Sequence, residues 1–516
     1  MEEPDDPAPL PLLPGPVSNG EFIPAPATAT DAWIARETLN QAETIAARLG
    51  MDRRRFLQSA GGVAAMLTAL NVAACSKAAR RAKAAGPSLA APSVAPSSSP
   101  GGSFVTPSPS DIDACERALS GTEFIFDVHT HHVMPDRPWQ RNAPETVQLI
   151  LGMLPPEHSA TDPLASVNRA AYVHDMFMAS DTTVALLTDV PNSGASNAPI
   201  PFADAVGTQE MVAQLAHGGA SRVVLHDVIA PNFGRLASQL DDMTAKVATG
   251  HVAAFKVYTA WGPNGQGFDV DDPRIGLPVL QRAQQLGVKV FCSHKGLPLM
   301  RFDATHNGPR DMVAAAKIFP DMQFVIFHAA WDPSYREGPY DPANAAIGIN
   351  SLLKALDDHG VKPNSNVWVD LGTTWRTVLT DPDQAAHVMG KLLSRVGEDR
   401  VLWGTDAIWY GSPQPQIMAF RAFQISAEYQ ERFGYPALTA ARKAKVLGLN
   451  AANLFGIDAH ATRCALADDP VTVARAEHAS LVATGKLPAP WQPRGPLSRR
   501  QTLGWLASST TPWTPA

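Results

Sequence analysis

Eight short, near-continuously apolar runs punctuate the chain between residues 124 and 406, and helical patterns fill the gaps between them. The runs are FIFDVH (124–129), TVALLT (183–188), RVVLHDV (222–228), AAFKVY (253–258), VKVFCSH (288–294), QFVIFHA (323–329), NVWVDLG (366–372) and RVLWGTD (400–406). Strands that are apolar on both faces are covered on both faces, which is the condition of a parallel sheet wrapped in helices. The connecting segments carry single apolar faces. In 381–397, Val388, Leu392 and Val396 recur at i, i+4 and i+8, with Met389 and Leu393 beside them. Later repeats are even: 34 residues separate His294 from His328, and 36 separate Asp370 from Asp406. Eight such units predict an α/β fold, a TIM-type (β/α)8 barrel. A long loop over 132–164 follows the first strand, and extra helices near 417–434 and 438–455 follow the last.

The polar residues sit at the C-terminal ends of the runs, where a barrel of this kind carries its chemistry. The first run ends in His129 and His131, the fourth holds Lys256, and the fifth and sixth end at His294 and His328. The eighth ends at Asp406. Side chains alternate along a strand, so His129 and His131 share one direction while Thr130 and His132 take the other. One strand end can therefore present two imidazoles to one ion. A lone histidine at a strand end is usually an ordinary hydrogen-bonded residue, but this set in this order points to a divalent metal. His158, His217, His359 and His478 fall in loops or helical patterns and read as solvated. Lys256 alternates with Phe255 and Val257; if those two meet the helices, Lys256 enters the barrel. A buried ammonium is costly. It then pairs with an acid, binds an anionic substrate, or becomes a carbamate; otherwise its stem carries it to solvent.

FDVHTHH, the Lys of the fourth run, SHKG, FHAAW and LWGTDAIW, in that order, resemble the amidohydrolase superfamily, and NAANLFGI (450–457) resembles the closing segment of its amidohydrolase-related branch. The resemblance implies that His129, His131 and Asp406 bind a first metal. In binuclear members a carbamylated lysine bridges two metals held further by the fifth- and sixth-strand histidines, here Lys256, His294 and His328. In mononuclear members, including decarboxylases, His294 would join the first metal and His328 would act as acid or base. Histidine and carboxylate ligands suit Zn2+, with Mn2+, Fe2+ or Co2+ as alternatives, one or two per chain. The activity implied first is hydrolysis of an ester, lactone or amide, with Asp406, His328 and Lys256 as catalytic groups. The alternative is decarboxylation of an aromatic or enoic acid. No G-x-S-x-G elbow supports a serine hydrolase.

Trp139, Trp261, Trp331, Trp375 and Trp409 follow strand ends, the rim of the expected pocket, and suggest a small substrate with an aromatic or flat apolar part. Arg376 and Lys295 would meet a carboxylate on it. Cys292 reads as a small buried hydrophobe. Cys115 and Cys464 flank the barrel and would pair outside the cytoplasm. With a net charge of −7 and no long basic run, nucleic acid is excluded as the main partner. Oligomeric state is not legible.

The N-terminal part reads as an address. Arg53-Arg54-Arg55-Phe56-Leu57 resembles a twin-arginine export signal and precedes an apolar, Ala-rich stretch, Ala60 to Ala74. Val72-Ala73-Ala74-Cys75 resembles a lipobox, which would anchor the chain to a membrane through Cys75. Met51 is an alternative start. No apolar run reads as long enough for a membrane span. The expected division is therefore a leader over 1–83, a flexible linker over 84–115, the barrel over 116–457 and a Pro- and Trp-containing tail over 458–516. An exported, periplasmic or envelope-bound enzyme follows from it, and a tethered binding protein is the non-enzymatic alternative.

Overall fold

The computed structural model describes residues 10–85, 99–143, 146–147, 150–151, 162–216, 220–298, 303–484, 486–487, 498–500 and 502–503. Strand β1 (Gly102–Phe104) precedes the barrel. The barrel strands are β2 (Phe126–Thr130), β3 (Val184–Leu187), β4 (Val223–Val228), β5 (Val252–Val257), β6 (Val290–His294), β7 (Gln323–Phe327), β8 (Val367–Asp370) and β9 (Val401–Leu402). They form one eight-stranded sheet in chain order, and every neighbouring pair is parallel. Each lies within or beside one of the eight predicted runs. The sheet comes round on itself where the chain leaving β9 meets β2: Val128 N–H donates to Trp403 O (3.0 Å) and Asp406 N–H to His129 O (2.9 Å).

Alternation sorts the side chains. Ala254, Val290, Cys292, Val325, Phe327, Trp368 and Leu402 fill the barrel interior together with Phe126, Val128, Val184 and Leu186. Phe255, Val257, Phe291, Phe324 and Ile326 face outward into the layer shared with the helices. Ala451 and Ala452, in the closing NAANLFGI segment, pack on the interior residues from the N-terminal end.

The N-terminal part departs from its sequence reading. Helix α1 (Ala29–Leu49) opens with a reciprocal cap between Thr28 and Asp31 and stops at Gly50, whose φ of 63° suits a residue without a Cβ. The arginine run lies in α2 (Arg53–Leu57), capped by Asp52, with Phe56 and Leu57 buried. The apolar stretch is α3 (Ala60–Ala85). Its residues Ala60–Arg81 are long and apolar enough to cross a membrane, contrary to the sequence expectation, because the apolar window extends past Ala74. In the structure Val63, Met66, Leu67 and Leu70 are buried in the same core as the barrel's outer layer. Asn71 exchanges two hydrogen bonds with Phe104 (2.7 and 2.8 Å), and Arg81 pairs with Asp383 at 2.8 Å. The expected leader thus occupies a place in the fold.

The expected linker is structured at its C-terminal end. Residues 86–98 lie outside the described residues, but β1 pairs antiparallel with β10 (Phe423–Ile425), and α4 (Ile112–Leu119) follows. That pairing also breaks the single helix expected over 417–434 into Gln414–Ala422 and Ala427–Phe433. The expected Cys115–Cys464 disulfide is not formed. Cys115 is buried, with its thiol on Ser108 O (3.3 Å), while Cys464 is exposed, and both are free thiols. In the tail, Asp469 clamps Arg222 in a buried ion pair at 2.7 Å; most of its Pro- and Trp-containing part lies outside the described residues.

Because α3 shares the main core, truncating a fully buried side chain on it should cost as much as a barrel-core truncation. Leu67→Ala is expected to lower unfolding free energy by about 2–5 kcal/mol in urea titration; a change within about 0.5 kcal/mol would mean that α3 is not part of the cooperative unit.

Candidate metal centre

The first ligand pair depends on a kink in β2. Phe126 and Val128 face the interior, so strict alternation would turn His129 outward. The β2–β3 register shifts between Asp127 and Thr130, and the extra residue turns His129 and His131 inward while Thr130 points out to Tyr172 and Leu186 O. Asp127 holds this bulge. Its Oδ1 accepts from the backbone N–H of His129 and of Thr405, both at 3.1 Å, and its Oδ2 accepts from the Thr405 hydroxyl. Burial pushes the Asp127 carboxyl up to about 7, against those hydrogen bonds.

Four imidazoles then converge. Each has one nitrogen tied to an oxygen acceptor: His129 Nδ1 to Asp370 Oδ2 (2.8 Å), His131 Nδ1 to Thr188 O (2.9 Å), His294 Nε2 to Leu297 O (2.7 Å) and His328 Nδ1 to Gly372 O (2.9 Å). A carbonyl oxygen can only accept, so the nitrogens of His131, His294 and His328 that meet one carry the protons, and His129 Nδ1 does so while Asp370 is ionised; the opposite nitrogens then present lone pairs. His294 Nδ1 and His328 Nε2 face each other at 3.0 Å. Two lone pairs at that distance repel unless a cation lies between them, and 3.0 Å is the separation of adjacent ligands around an ion with bonds of about 2.0–2.1 Å. Histidines that bind metal usually anchor the second nitrogen in this way.

Asp406 completes the set. Its Oδ1 lies 3.3 Å from His131 Nε2 and 3.5 Å from His129 Nε2. Its Oδ2 accepts from Thr373 Oγ1 (2.6 Å) and Asn19 Nδ2 (2.9 Å). Burial opposes its charge, but the His131 and Thr373 contacts hold its carboxyl well below the usual range. His129, His131 and Asp406 are close enough to grip one ion, and so are Glu21, His328 and Asp406. His328, Thr373 and Asp406 all have positive φ (61°, 56° and 61°), a conformation that non-glycine residues adopt at a cost and that gathers here at the site. At Gly372 and Gly404 an added Cβ would strike His129 or Asp370, so the two glycines let the backbone close on that pair.

Lys256 is fully buried inside the barrel, as the alternation predicts, with Nζ 3.4 Å from His129 Nε2 and 4.2 Å from the centre of the Phe327 ring. Burial draws its ammonium down to about 8, against Asp406 and Asp370.

The expected substrate contacts divide. Trp409 stacks obliquely on His131 (5.6 Å, 30°), and Trp331 is buried with an unpaired Nε1. Trp261 lies in the half-buried cluster with Tyr258 and bonds Asn192 O. Arg376 is buried, with Nη2 on Leu13 O (3.4 Å) and Nη1 unpaired. Trp375 does not join them: it packs on Phe420 and Phe423 and bonds Gln416 O, because its neighbour on the short helix takes the inward direction. Trp139 is likewise core, bonded to Met134 O. Lys295 is engaged with buried Asp311 at 2.7 Å and does not reach the pocket. His132 bonds Thr208 outside the cluster. His158 and His217 lie outside the described residues.

Sequence reasoning missed Asp370, Thr373, Asn19 and Glu21. Asp370 ends its run as Asp406 does, a signal that was present. Asn19 and Glu21 carried none, since they lie in a segment read as leader.

Burial keeps the imidazoles neutral: it drives His129 and His294 well below 6.5 and His328 down to about 4. Between pH 6.5 and about 4 the unfolded chain binds a proton that folded His328 refuses, so metal-free stability should fall as pH drops through that window, by about 3 kcal/mol for this group. Urea unfolding of the stripped protein at pH 7, 5.5 and 4.5 checks the sign. Asp370→Asn, which weakens the anchor of His129, is expected to lower metal affinity about 10–100-fold by chelator competition.

The solved structures that resemble the chain do so at low identity. A 5-carboxyvanillate decarboxylase from Sphingomonas paucimobilis is 13% identical, with a TM-score of 0.41 over 65% of this chain and 100% of its own. A 2,6-dihydroxybenzoate decarboxylase from Rhizobium is 14% identical, with a TM-score of 0.38 over 65% and 99%. A 4-oxalomesaconate hydratase from Rhodopseudomonas palustris is 15% identical, with a TM-score of 0.38 over 70% and 99%. No curated protein matches the chain. The family model described as Amidohydrolase matches residues 126–457, the stretch that holds all eight barrel strands, the four converging histidines and Asp406, and the chain therefore belongs to the amidohydrolase family.

Proposed function

We propose that the chain is a metal-dependent enzyme that removes CO2 from a small carboxylic acid with an aromatic or other flat apolar body. The observation that carries this reading is Arg376. Four other buried cations meet acids: Arg222 meets Asp469, Lys295 meets Asp311, Lys391 meets Glu337 and Arg421 meets Glu123 and Asp181; buried Lys443 donates to Arg421 O instead, and buried Lys256 lies beside His129. Arg376 forms no ion pair among the described residues and has one nitrogen without a partner. Its neighbours lead to the centre: the guanidinium lies 6.0 Å from the Tyr410 ring, Tyr410 donates to Thr373, and Thr373 donates to Asp406. A buried guanidinium without an acid is poorly stabilised, and a substrate carboxylate would complete it.

The donor set of imidazole and carboxylate fits a divalent ion, Zn2+ or Mn2+, which would supply Lewis acidity at the substrate. The rest falls to side chains. Arg376 would orient the carboxylate through a charge-assisted hydrogen bond. Trp409 and Trp331 would flank the apolar body and keep water out. Asp406, held ionised, is placed to move a proton to or from the reacting atoms, and neutral His328 would share that task.

A second reading, hydrolysis of an ester, lactone or amide, is favoured by Lys256. Its amine lies beside His129, where a carbamate would add an anionic oxygen to the centre and support two ions. Metal content per chain separates the readings: two ions that fall to one or none in Lys256→Ala support the hydrolase, and one ion unchanged by that substitution supports the decarboxylase. The Arg53–Leu57 and Val72–Cys75 patterns support export and attachment through Cys75 as part of the proposal.

Screening aromatic and enoic carboxylates for CO2 release, beside esters, lactones and amides, tests the reaction. With an acid substrate, Arg376→Ala should raise KM about 10–100-fold, the loss of one hydrogen bond to a charge. Equal kcat/KM in the variant would remove Arg376 from substrate recognition.

A further inference from the structure

The segment before α1 enters the barrel mouth. Ser18 Oγ accepts from Gly20 N–H (2.9 Å) and Phe22 N–H (3.3 Å), and Asn19 Oδ1 accepts from Glu21 N–H (3.1 Å). These bonds tie residues 18–22 into a tight loop. Asn19 Nδ2 donates both to Glu21 Oε2 (2.7 Å) and to Asp406 Oδ2 (2.9 Å), so one amide holds the two carboxylates side by side. Ser18, Asn19 and Glu21 are all buried. Glu21 forms no ion pair with a lysine or arginine among the described residues. One of its oxygens, one nitrogen of His328 and one oxygen of Asp406 lie within 4.8 Å of one another.

Two buried carboxylates held together by a neutral amide need a compensating positive charge, which a proton on one of them or a bound cation supplies. One nitrogen of His328 belongs to the same group. Two carboxylates and an imidazole gathered this closely are a donor set that could hold a divalent ion. The loop is also anchored from behind. Phe22 packs edge-on against Trp331 (6.0 Å), and Leu12, Phe22 and Ile34 belong to the same core as Val63 and Leu67 of α3. An anchored loop serves a permanent ligand better than a detachable cover.

We infer that Glu21 is a ligand of the metal centre, delivered to the barrel by a segment that lies outside residues 126–457. The inference rests on reading the barrel mouth as a metal centre. It gives the N-terminal helices a function: they hold a carboxylate over the ions that the strand ends bind.

The test is Zn2+ affinity of the full chain, stripped and titrated against a chromophoric chelator, for wild type, Glu21→Gln and His129→Ala. Thermal unfolding of each metal-free form checks that it is folded, and Co2+-loaded samples report ligand geometry by visible absorption. Glu21→Gln is expected to fold, to bind Zn2+ at least about 10–100-fold more weakly than wild type, and to change the Co2+ spectrum. Unchanged affinity and spectrum in Glu21→Gln, with binding lost in His129→Ala, would overturn the inference and leave the metal centre standing. Unchanged affinity with faster turnover would overturn it in favour of an obstructing loop. A wild-type chain that binds no Zn2+ or Co2+ would remove the metal centre itself. Mass spectrometry of the purified enzyme adds a last condition: a mature chain that begins after Glu21 and keeps wild-type affinity also overturns the inference.

Discussion

The contact on which the centre depends is the return of the chain after β9 onto β2. The hydrogen bond from Asp406 N–H to His129 O closes the barrel and sets a carboxylate beside an imidazole in one step. Asp127 reinforces it by holding His129 N–H and both Thr405 donors at once. Fold closure and ligand assembly are therefore one event. If the β2–β9 seam opened, the first ligand set would separate before any other part of the barrel lost its pairing.

The outer hydrogen bonds of the imidazoles give the second constraint. An imidazole offers a lone pair in a chosen direction only if its other nitrogen is held, and all four rings are held by oxygen acceptors. Three of those acceptors are backbone carbonyls, so the ligand geometry is written into the main chain of the loops beyond the strands. The centre is preorganised in the sense that matters for a cation: the repulsion among lone pairs and carboxylates is already accepted by the folded chain, and a bound ion relieves it.

The strands were legible because burial on both faces leaves a composition that few other structures share. Lys256 was legible for a related reason: Phe255 and Val257 had to meet the helices, and a two-residue period left one direction for the lysine. His129 and His131 do lie together beside Asp406, but plain alternation gives no account of it, since a bulge that no local residue pattern marks turns them inward. Trp375 and Lys295 were misplaced because nearness to a strand end does not fix direction; a helix turn sent one into the core, and Asp311 claimed the other. The place of the N-terminal segment in the fold was not legible for a deeper reason. A basic run before small apolar residues satisfies the needs of a signal and those of a core helix alike, and only long-range packing separates them.

That double character has a consequence of its own. Val63, Met66, Leu67 and Leu70 cannot lie against the barrel and in a membrane or an export channel at the same time. Whatever held α3 elsewhere would strip Leu12, Phe22 and Ile34 of the core they share with it, and with that the anchor of residues 18–22 at the barrel mouth. The destination of a single helix would then govern whether the site is complete. Location and competence would be two readouts of one packing equilibrium, decided while the chain is still choosing where its most apolar segment belongs.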